Sequence, residues 1–185
     1  MEPTTRIVVD VTFLDMHHPP RRPVPVLPEG WWIEQQFDLS VAEYRAIHGR
    51  VGHDYCWWMR QVRSDTDLAH ILADPCRSIF LLKERDEPRG FFELEIKAPR
   101  TVNLAYFGLF PENIGRGIGR AFLHAVVALA WSAEPRRLTV NTCTADHPRA
   151  LPNYLAAGFR IIGVVREEWN IPDRLGMPIP ERLRA

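Results

Sequence analysis

Three glycines spaced by single residues, Gly115-Arg116-Gly117-Ile118-Gly119, join a β-forming run to an apolar helical run, and this junction constrains the chain more than any other segment. The run before it, Val102 to Phe110, is β-branched and aromatic; the run after it, Ala121 to Trp131, is apolar at helical spacing. A turn of this composition aims several backbone N–H groups at one point, beside the positive end of a helix dipole. That is a cradle for a pyrophosphate. Glycine is needed because a Cβ would obstruct the phosphate and disfavour positive φ.

The remaining pattern sets the organisation. Arg6 to Leu14 reads as a strand, and His17 to Pro28, with five prolines, as an extended connector that is either a spacer or a binding segment. Trp31 to Phe37 is a second strand. Ser40 with Glu43 three residues on forms a capping box for a helix to about Arg50. Gly52 to Trp58 is an aromatic loop, and Asp65 to Ala73 a helix capped by Ser64 or Asp65. Ile79 to Glu84 and Gly90 to Ile96 are strands joined by a hairpin turn at Asp86-Glu87-Pro88-Arg89. Thr101 to Phe110 precedes the glycine turn, and a helix from Gly117 puts Ile118, Phe122, Ala125, Val126 and Leu129 on one stripe. Arg137 to Cys143 is a strand, His147 to Ala157 a short helix and Phe159 to Glu167 a last strand; the tail, with Pro172, Pro178 and Pro180, reads as loop. Antiparallel strands followed by β-α-β-α-β predict an α/β class protein with a mixed sheet and helices on both faces.

Bulk properties narrow the function. The 185 residues, 46% hydrophobic, suffice for one core and one domain. Lys+Arg 23 balance Asp+Glu 23, so no charge surplus points to nucleic acid or a membrane surface. Three cysteines without paired spacing and a start lacking the pattern of a signal peptide lead to the expectation of a cytoplasmic location. His53-x-x-Cys56 lacks a second ligand pair, so no metal site is expected. Of the phosphate motifs, a P-loop requires a lysine that does not follow Gly119, and a dinucleotide turn requires different glycine spacing at the first βαβ unit.

Pro111-Glu112-x-x-Gly115-x-Gly117-x-Gly119-Arg120-Ala121-Phe122-Leu123 resembles motif A of the GNAT superfamily of acyl-CoA-dependent N-acyltransferases. Ala150-Leu151-Pro152-Asn153-Tyr154-Leu155-Ala156-Ala157-Gly158-Phe159 is similar to that family's Ala-x-x-x-Tyr-x-x-x-Gly-Phe signature. The resemblance covers roughly Trp31 to Trp169 and implies the GNAT fold: a mixed, mostly antiparallel sheet with splayed central strands. It divides the chain into an N-terminal strand and connector (1–30), the acyltransferase domain (31–170) and a tail (171–185). One departure is Ile114, where relatives carry Gln or Arg; Arg116 or Arg120 is then expected to supply the side-chain contact instead.

The resemblance also implies roles. Amides from Ile114 through Gly115, Arg116, Gly117, Ile118 and Gly119 to Arg120 would hold the diphosphate of acetyl-CoA, the helix terminus contributing about 0.3–2 kcal/mol. Leu109 would pair with the pantetheine arm like an added strand, with Phe110 beside it. Gly108 would permit a bulge or a close packing contact. The N–H of Phe107 would polarise the acyl carbonyl. Tyr154 would protonate the leaving thiolate, a phenol of pKa about 10 facing a thiolate of about 8.5, or simply pack its helix. Pro152 inside that helix would kink it and re-aim Tyr154. His147 would be a cap or a pantetheine contact, or else a surface loop histidine.

An amine of pKa about 10 is only about 0.1% neutral at pH 7, a penalty of roughly 4 kcal/mol. Asn103 occupies the position where some relatives place a glutamate base. Strand period puts Glu93 and Glu95 on one face, where each is either a base, acting directly or through water, or an exposed or salt-bridged residue; Glu93, the more central, is the expected base. Tyr55, Trp57 and Trp58 would form an acceptor pocket for a small-molecule or peptide amine, unless the tryptophans are core. A non-catalytic acyl-CoA-binding module is the alternative. The Arg6–Leu14 strand would extend the sheet or cross into a second subunit of a homodimer.

Overall fold

In chain order the regular elements are β1 (Thr4–Met16), β2 (Trp31–Gln36), α1 (Val41–Gly52), α2 (Trp58–Gln61), α3 (Asp65–Leu72), β3 (Arg77–Glu84), β4 (Glu87–Lys97), β5 (Thr101–Leu109), α4 (Ile118–Ser132), β6 (Arg137–Cys143), α5 (Ala150–Ala157) and β7 (Arg160–Pro172). The structure, a computed structural model, describes residues 2–21, 25–97 and 100–185. Arg22, Pro23 and Val24 of the proline-rich connector therefore lie outside the described residues.

The seven strands form one mixed sheet in the order β2-β3-β4-β5-β6-β1-β7, antiparallel at every junction except β5–β6. Strand alternation divides its core between two faces. Phe80, Leu82, Phe92 and Leu94 point toward α4 and α5, where Phe122, Leu123, Val126 and Val127 complete one cluster. Ile79, Leu81 and Phe91 point the other way, against Tyr44, Val51 and Leu68 of α1 and α3.

The N-terminal strand does not add to an edge. β1 lies inside the sheet, with Val11–Met16 antiparallel to β6 and Thr4–Asp15 antiparallel to β7. Ile7, Val9 and Val11 bury one face with Ile171 and Leu183, while Leu14 and Met16 bury the other within the α4 cluster. Val11–Met16 is bonded on both edges within the chain and Thr4–Asp10 to β7, so the strand extends its own chain's sheet, the first of the two expected roles.

Local chemistry accounts for several boundaries. Ser40 Oγ accepts the Glu43 N–H at 3.2 Å while the Ser40 N–H donates to Glu43 Oε2 at 2.9 Å, closing the capping box. The β3–β4 turn falls at Arg85-Asp86, with φ of 50° and 70°, rather than at Asp86–Arg89. A two-residue turn with positive φ at both positions matches strand twist, and Glu87 to Arg89 consequently belong to β4. Pro88 is accommodated beside the register shift at Leu82/Lys83. The tail is more ordered than its prolines suggest. Leu175, Met177, Ile179 and Leu183 pack beneath β1, and the Ala185 N–H donates to the Arg6 carbonyl at 3.2 Å.

Candidate active site

The sheet opens in its middle. β5 and β6 pair in parallel only over Thr101–Leu104 and Arg137–Val140, after which the two strands run on without a ladder. Across the other edge β5 stays bonded to β4, with one irregularity: Glu93 opposes Tyr106 and Leu94 opposes Leu104. Ala105 is the extra residue of a β-bulge, which bends the strand away from β6. The bulge is thus at Ala105 and not beside Gly108. Gly108 serves close packing instead: a Cβ there would lie 2.3 Å from Val51 Cγ1 of α1.

Backbone direction follows from two contacts. The Phe110 N–H donates to the Arg89 carbonyl at 2.8 Å, and the Gly108 carbonyl faces Gly90. Alternation then turns the N–H and C=O groups of Phe107 and Leu109 to the opposite edge, into the opening left by β6.

At the end of that opening Gly115 and Gly117 take φ of 86° and 80°, and Gly117 caps α4. No backbone carbonyl among the described residues accepts the N–H groups of Gly115 through Arg120. A cavity of about 850 Å³ runs from Ile114, Gly115, Gly117, Gly119 and Arg120 along Phe107, Gly108 and Leu109. Other expected members of this end are directed elsewhere. Arg116 donates to Glu84 and to Asn113 Oδ1 and lies over the Trp31 ring, away from the cavity. The Ile118 side chain joins the α4 core. Phe110 is buried against the α1 cluster, under the guanidinium of Arg50. Arg120 lines the cavity and makes no hydrogen bond or ion pair among the described residues, so of the two arginines it alone is placed to offer the polar side chain that Ile114 does not provide.

Tyr154 projects from α5 into the same cavity, packed edge-on to Phe107 and Phe159. Burial, with Asp146 nearby, holds its phenol above the ordinary range, so it stays protonated at neutral pH. Its hydroxyl makes no hydrogen bond among the described residues. α5 begins at Ala150, later than the expected His147, which puts Pro152 in the first turn. The helix therefore loses no bond there and is not kinked, since first-turn N–H groups have no intrahelical partner. His147 lines the cavity, and its Nδ1 accepts the Arg149 N–H at 3.1 Å.

The far end of the cavity combines two lobes. Tyr55, Trp57, Met59 and Arg60 come from the segment after α1, Arg77, Glu95 and Tyr106 from the sheet, and Glu167 and Trp169 from β7. Trp57 is fixed by its indole N–H, which donates to Asp146 Oδ1 at 3.0 Å. Trp58 is not in the lining; it packs on the β1 cluster with Ile7 and Val9. Glu93 is not in the lining either. Fully buried, it accepts from Tyr44 Oη at 2.8 Å, Arg60 Nη2 at 2.8 Å and Arg77 Nη1 at 2.6 Å. Two guanidiniums and a phenol occupy the carboxylate that strand alternation offers as a base, although Glu95, on the same face, does reach the cavity. Arg60 and Arg77, both missed in the sequence, became visible only through this shared partner. Nothing in their local spacing marks them.

The residues present fit a coenzyme A-type ligand: unpaired amides at a glycine turn, an open strand edge and a phenol lie along one continuous cavity. Among the described residues no group of three or more side chains could hold a metal, and no helix is long and apolar enough to cross a membrane.

The model of the acetyltransferase (GNAT) family matches residues 33–159. A GCN5-related N-acetyltransferase from Sphaerobacter thermophilus is similar in structure at 19% identity and TM-score 0.64, over 91% of this chain and 53% of that one. A tandem GNAT protein from the clavulanic acid biosynthesis pathway is similar at 15% identity and TM-score 0.60, over 90% and 55%. An aminoglycoside acetyltransferase from an uncultured soil metagenomic sample is similar at 11% identity and TM-score 0.57, over 70% and 88%. At such identities the likeness is one of fold. The chain spans about half the length of the first two structures. No curated protein matches it.

Proposed function

The chain belongs to the GNAT acetyltransferase family, and we propose that it is an acetyl-CoA-dependent N-acetyltransferase acting on a primary amine by direct transfer. The observation that carries this reading is the set of unpaired amides from Gly115 to Arg120 opening into the cavity that also holds Tyr154 and the free edge of β5.

Bound acetyl-CoA would supply an activated thioester whose C–S bond breaks as the amide C–N bond forms. The amides of the glycine turn, with Arg120, bind the diphosphate, and Leu109 pairs with the pantetheine through its outward N–H and C=O. Phe107 offers its N–H to the acyl carbonyl, where negative charge develops on oxygen. Tyr154 gives its phenolic proton to the departing thiolate. The proton lost by the amine passes to a carboxylate that lines the cavity. Glu167 suits this role because its Oε2 accepts the Trp169 indole N–H at 2.7 Å while Oε1 has no partner among the described residues. Cys143 and Cys56 also line the cavity, but burial and Asp146 push the Cys143 thiol up to about 12 and raise that of Cys56. Both stay protonated, which favours direct transfer over a covalent acyl-cysteine.

A catalytically silent acyl-CoA-binding module is the second reading, favoured by Asn103, whose side-chain oxygen accepts the Thr139 hydroxyl at 2.8 Å and which cannot act as a base. One experiment separates them. Acetyl-CoA should raise the melting temperature in both cases, whereas amine-dependent release of free thiol occurs only for the enzyme. Gly117→Ala, strained at φ 80°, should weaken coenzyme A binding in either case. A thermal shift that is absent with acetyl-CoA defeats both.

A further inference from the structure

Two arginines reach the acceptor end of the cavity, and they differ in how fully they are used. Arg77 engages all three of its nitrogens: Nη1 with Glu93 at 2.6 Å, Nη2 with Glu95 at 2.5 Å and Nε with Asp74 at 3.5 Å. Arg60 donates from Nη2 to the same Glu93 oxygen at 2.8 Å, and its only further side-chain hydrogen-bonding neighbour among the described residues is the neutral Tyr106 phenol, so Glu93 is the sole anion it pairs with. It is 9% exposed, and none of its nitrogens is sealed off without a partner, so its remaining N–H groups open onto the cavity they line.

One buried carboxylate, shared by two guanidiniums, leaves Arg60 under-compensated. Glu95 does not make up the difference, because it is held by Arg77 and by Lys97 at 3.3 Å. A desolvated guanidinium with free donors is costly unless an anion completes its shell. Its planar fork matches a carboxylate in bidentate geometry. The group is also held in place: its carbon lies 5.4 Å from the Tyr106 ring centre and 6.0 Å from that of Tyr44, and Glu93 is in turn fixed by Tyr44 and Arg77. A positioned, partly unpaired cation at the end of a cavity is a recognition element.

We propose that the acceptor amine also carries a carboxylate, as an amino acid or a related amino carboxylate does, and that Arg60 binds that carboxylate while the amine faces Tyr154 and Phe107. This assignment rests on the acyl-transfer reading for its direction along the cavity. It names Arg60 as a specificity determinant, with Glu93, Arg77 and Tyr44 as positioning residues that do not touch the substrate.

The test uses the full chain with acetyl-CoA and a panel of amino acids, each beside its carboxamide and its decarboxylated amine. Thiol release gives kcat/KM, and ligand-induced melting shifts give binding without turnover. The free carboxylates should be favoured by about tenfold to a hundredfold, the worth of a charge-assisted hydrogen bond. Arg60→Gln should abolish that preference, read as the ratio of kcat/KM between each free carboxylate and its own decarboxylated amine; Arg60→Lys, which keeps the charge and loses the fork, should retain part of it and covers the case in which Arg60→Gln fails to fold. Turnover with equal rates across each trio overturns this proposal and leaves acyl transfer standing. Carboxylate-dependent, Arg60-dependent melting shifts without thiol release do the reverse. A panel with neither response overturns both.

Discussion

The indole N–H of Trp57 and Oδ1 of Asp146 meet at 3.0 Å and tie the loop after α1 to the loop after β6 in the wall of the cavity. Asp146 is otherwise occupied from its own side, Oδ2 accepting the Thr142 hydroxyl at 2.7 Å and the Cys143 N–H at 2.9 Å. Trp57→Phe removes this bond together with part of the ring packed on His48, Phe91 and Tyr106. It should cost about 1–3 kcal/mol in denaturant unfolding, the lost bond and the lost packing together, and raise the acceptor KM, with coenzyme A affinity unchanged because the glycine turn lies at the other end.

Gly108→Ala should act as a steric lesion with a known partner. Its Cβ would meet Val51 Cγ1 at 2.3 Å, and overpacking of this kind costs about 1–3 kcal/mol. Val51→Ala alone leaves a gap, yet the double variant should recover most of the loss. Simple additivity of the two single effects in urea melts would show that the contact is not the cause.

Tyr154→Phe should leave stability nearly unchanged, since the hydroxyl makes no hydrogen bond among the described residues. Turnover should fall by about 10²–10⁴, the usual weight of a general acid, at nearly constant acetyl-CoA affinity. Because burial raises this phenol above its ordinary value, the rate should show no falling limb from it below about pH 10. Activity retained within twofold in the variant would remove the tyrosine from the chemistry.

His48 should make the fold acid-sensitive. Burial, with the charge of Arg60 nearby, holds its pKa down at about 3, against an ordinary value near 6.5. Above pH 6.5 the imidazole is neutral in both states and imposes no penalty. Below it the unfolded chain takes up a proton that the folded chain refuses, so stability falls as the pH drops from about 6.5 toward 3, by up to about 1.4 kcal/mol per unit. His48→Gln should flatten that part of the stability profile; an unchanged slope would show that the imidazole is protonated in the fold.

Leu14→Ala tests the inserted strand. Leu14 is fully buried in the α4 cluster, on a strand bonded along both edges. The substitution should cost about 2–5 kcal/mol, measured by thermal or chemical unfolding. A loss below about 1 kcal/mol would mean that β1 is not part of the core.

What was legible from the residues alone was local. The capping box at Ser40 and Glu43, the strand-turn-helix around Gly115 to Gly119 and the Tyr154 signature depend on neighbours within a few positions, where hydrogen-bond geometry and φ preference act directly. Family resemblance could likewise be read from two short motifs, because their backbone requirements dictate residue type. The turn at Arg85-Asp86 escaped because Arg85 is not a usual bearer of positive φ and no glycine accompanies Asp86, and α2 because it is one turn long.

Tertiary structure decided the rest, wherever a residue's role depends on a partner distant in sequence. Only the folded sheet places β1 between β6 and β7, since strand order is a matter of long-range pairing that periodicity does not encode. The bulge at Ala105 depends on register with β4. Glu93 carries the alternation of a cavity-facing carboxylate, yet Arg60, Arg77 and Tyr44, 33, 16 and 49 residues away, convert it into a buried anchor. Composition and spacing state which charges a chain has; which of them neutralise one another is settled by desolvation once the chain has packed, and the cation left over points to what the site binds.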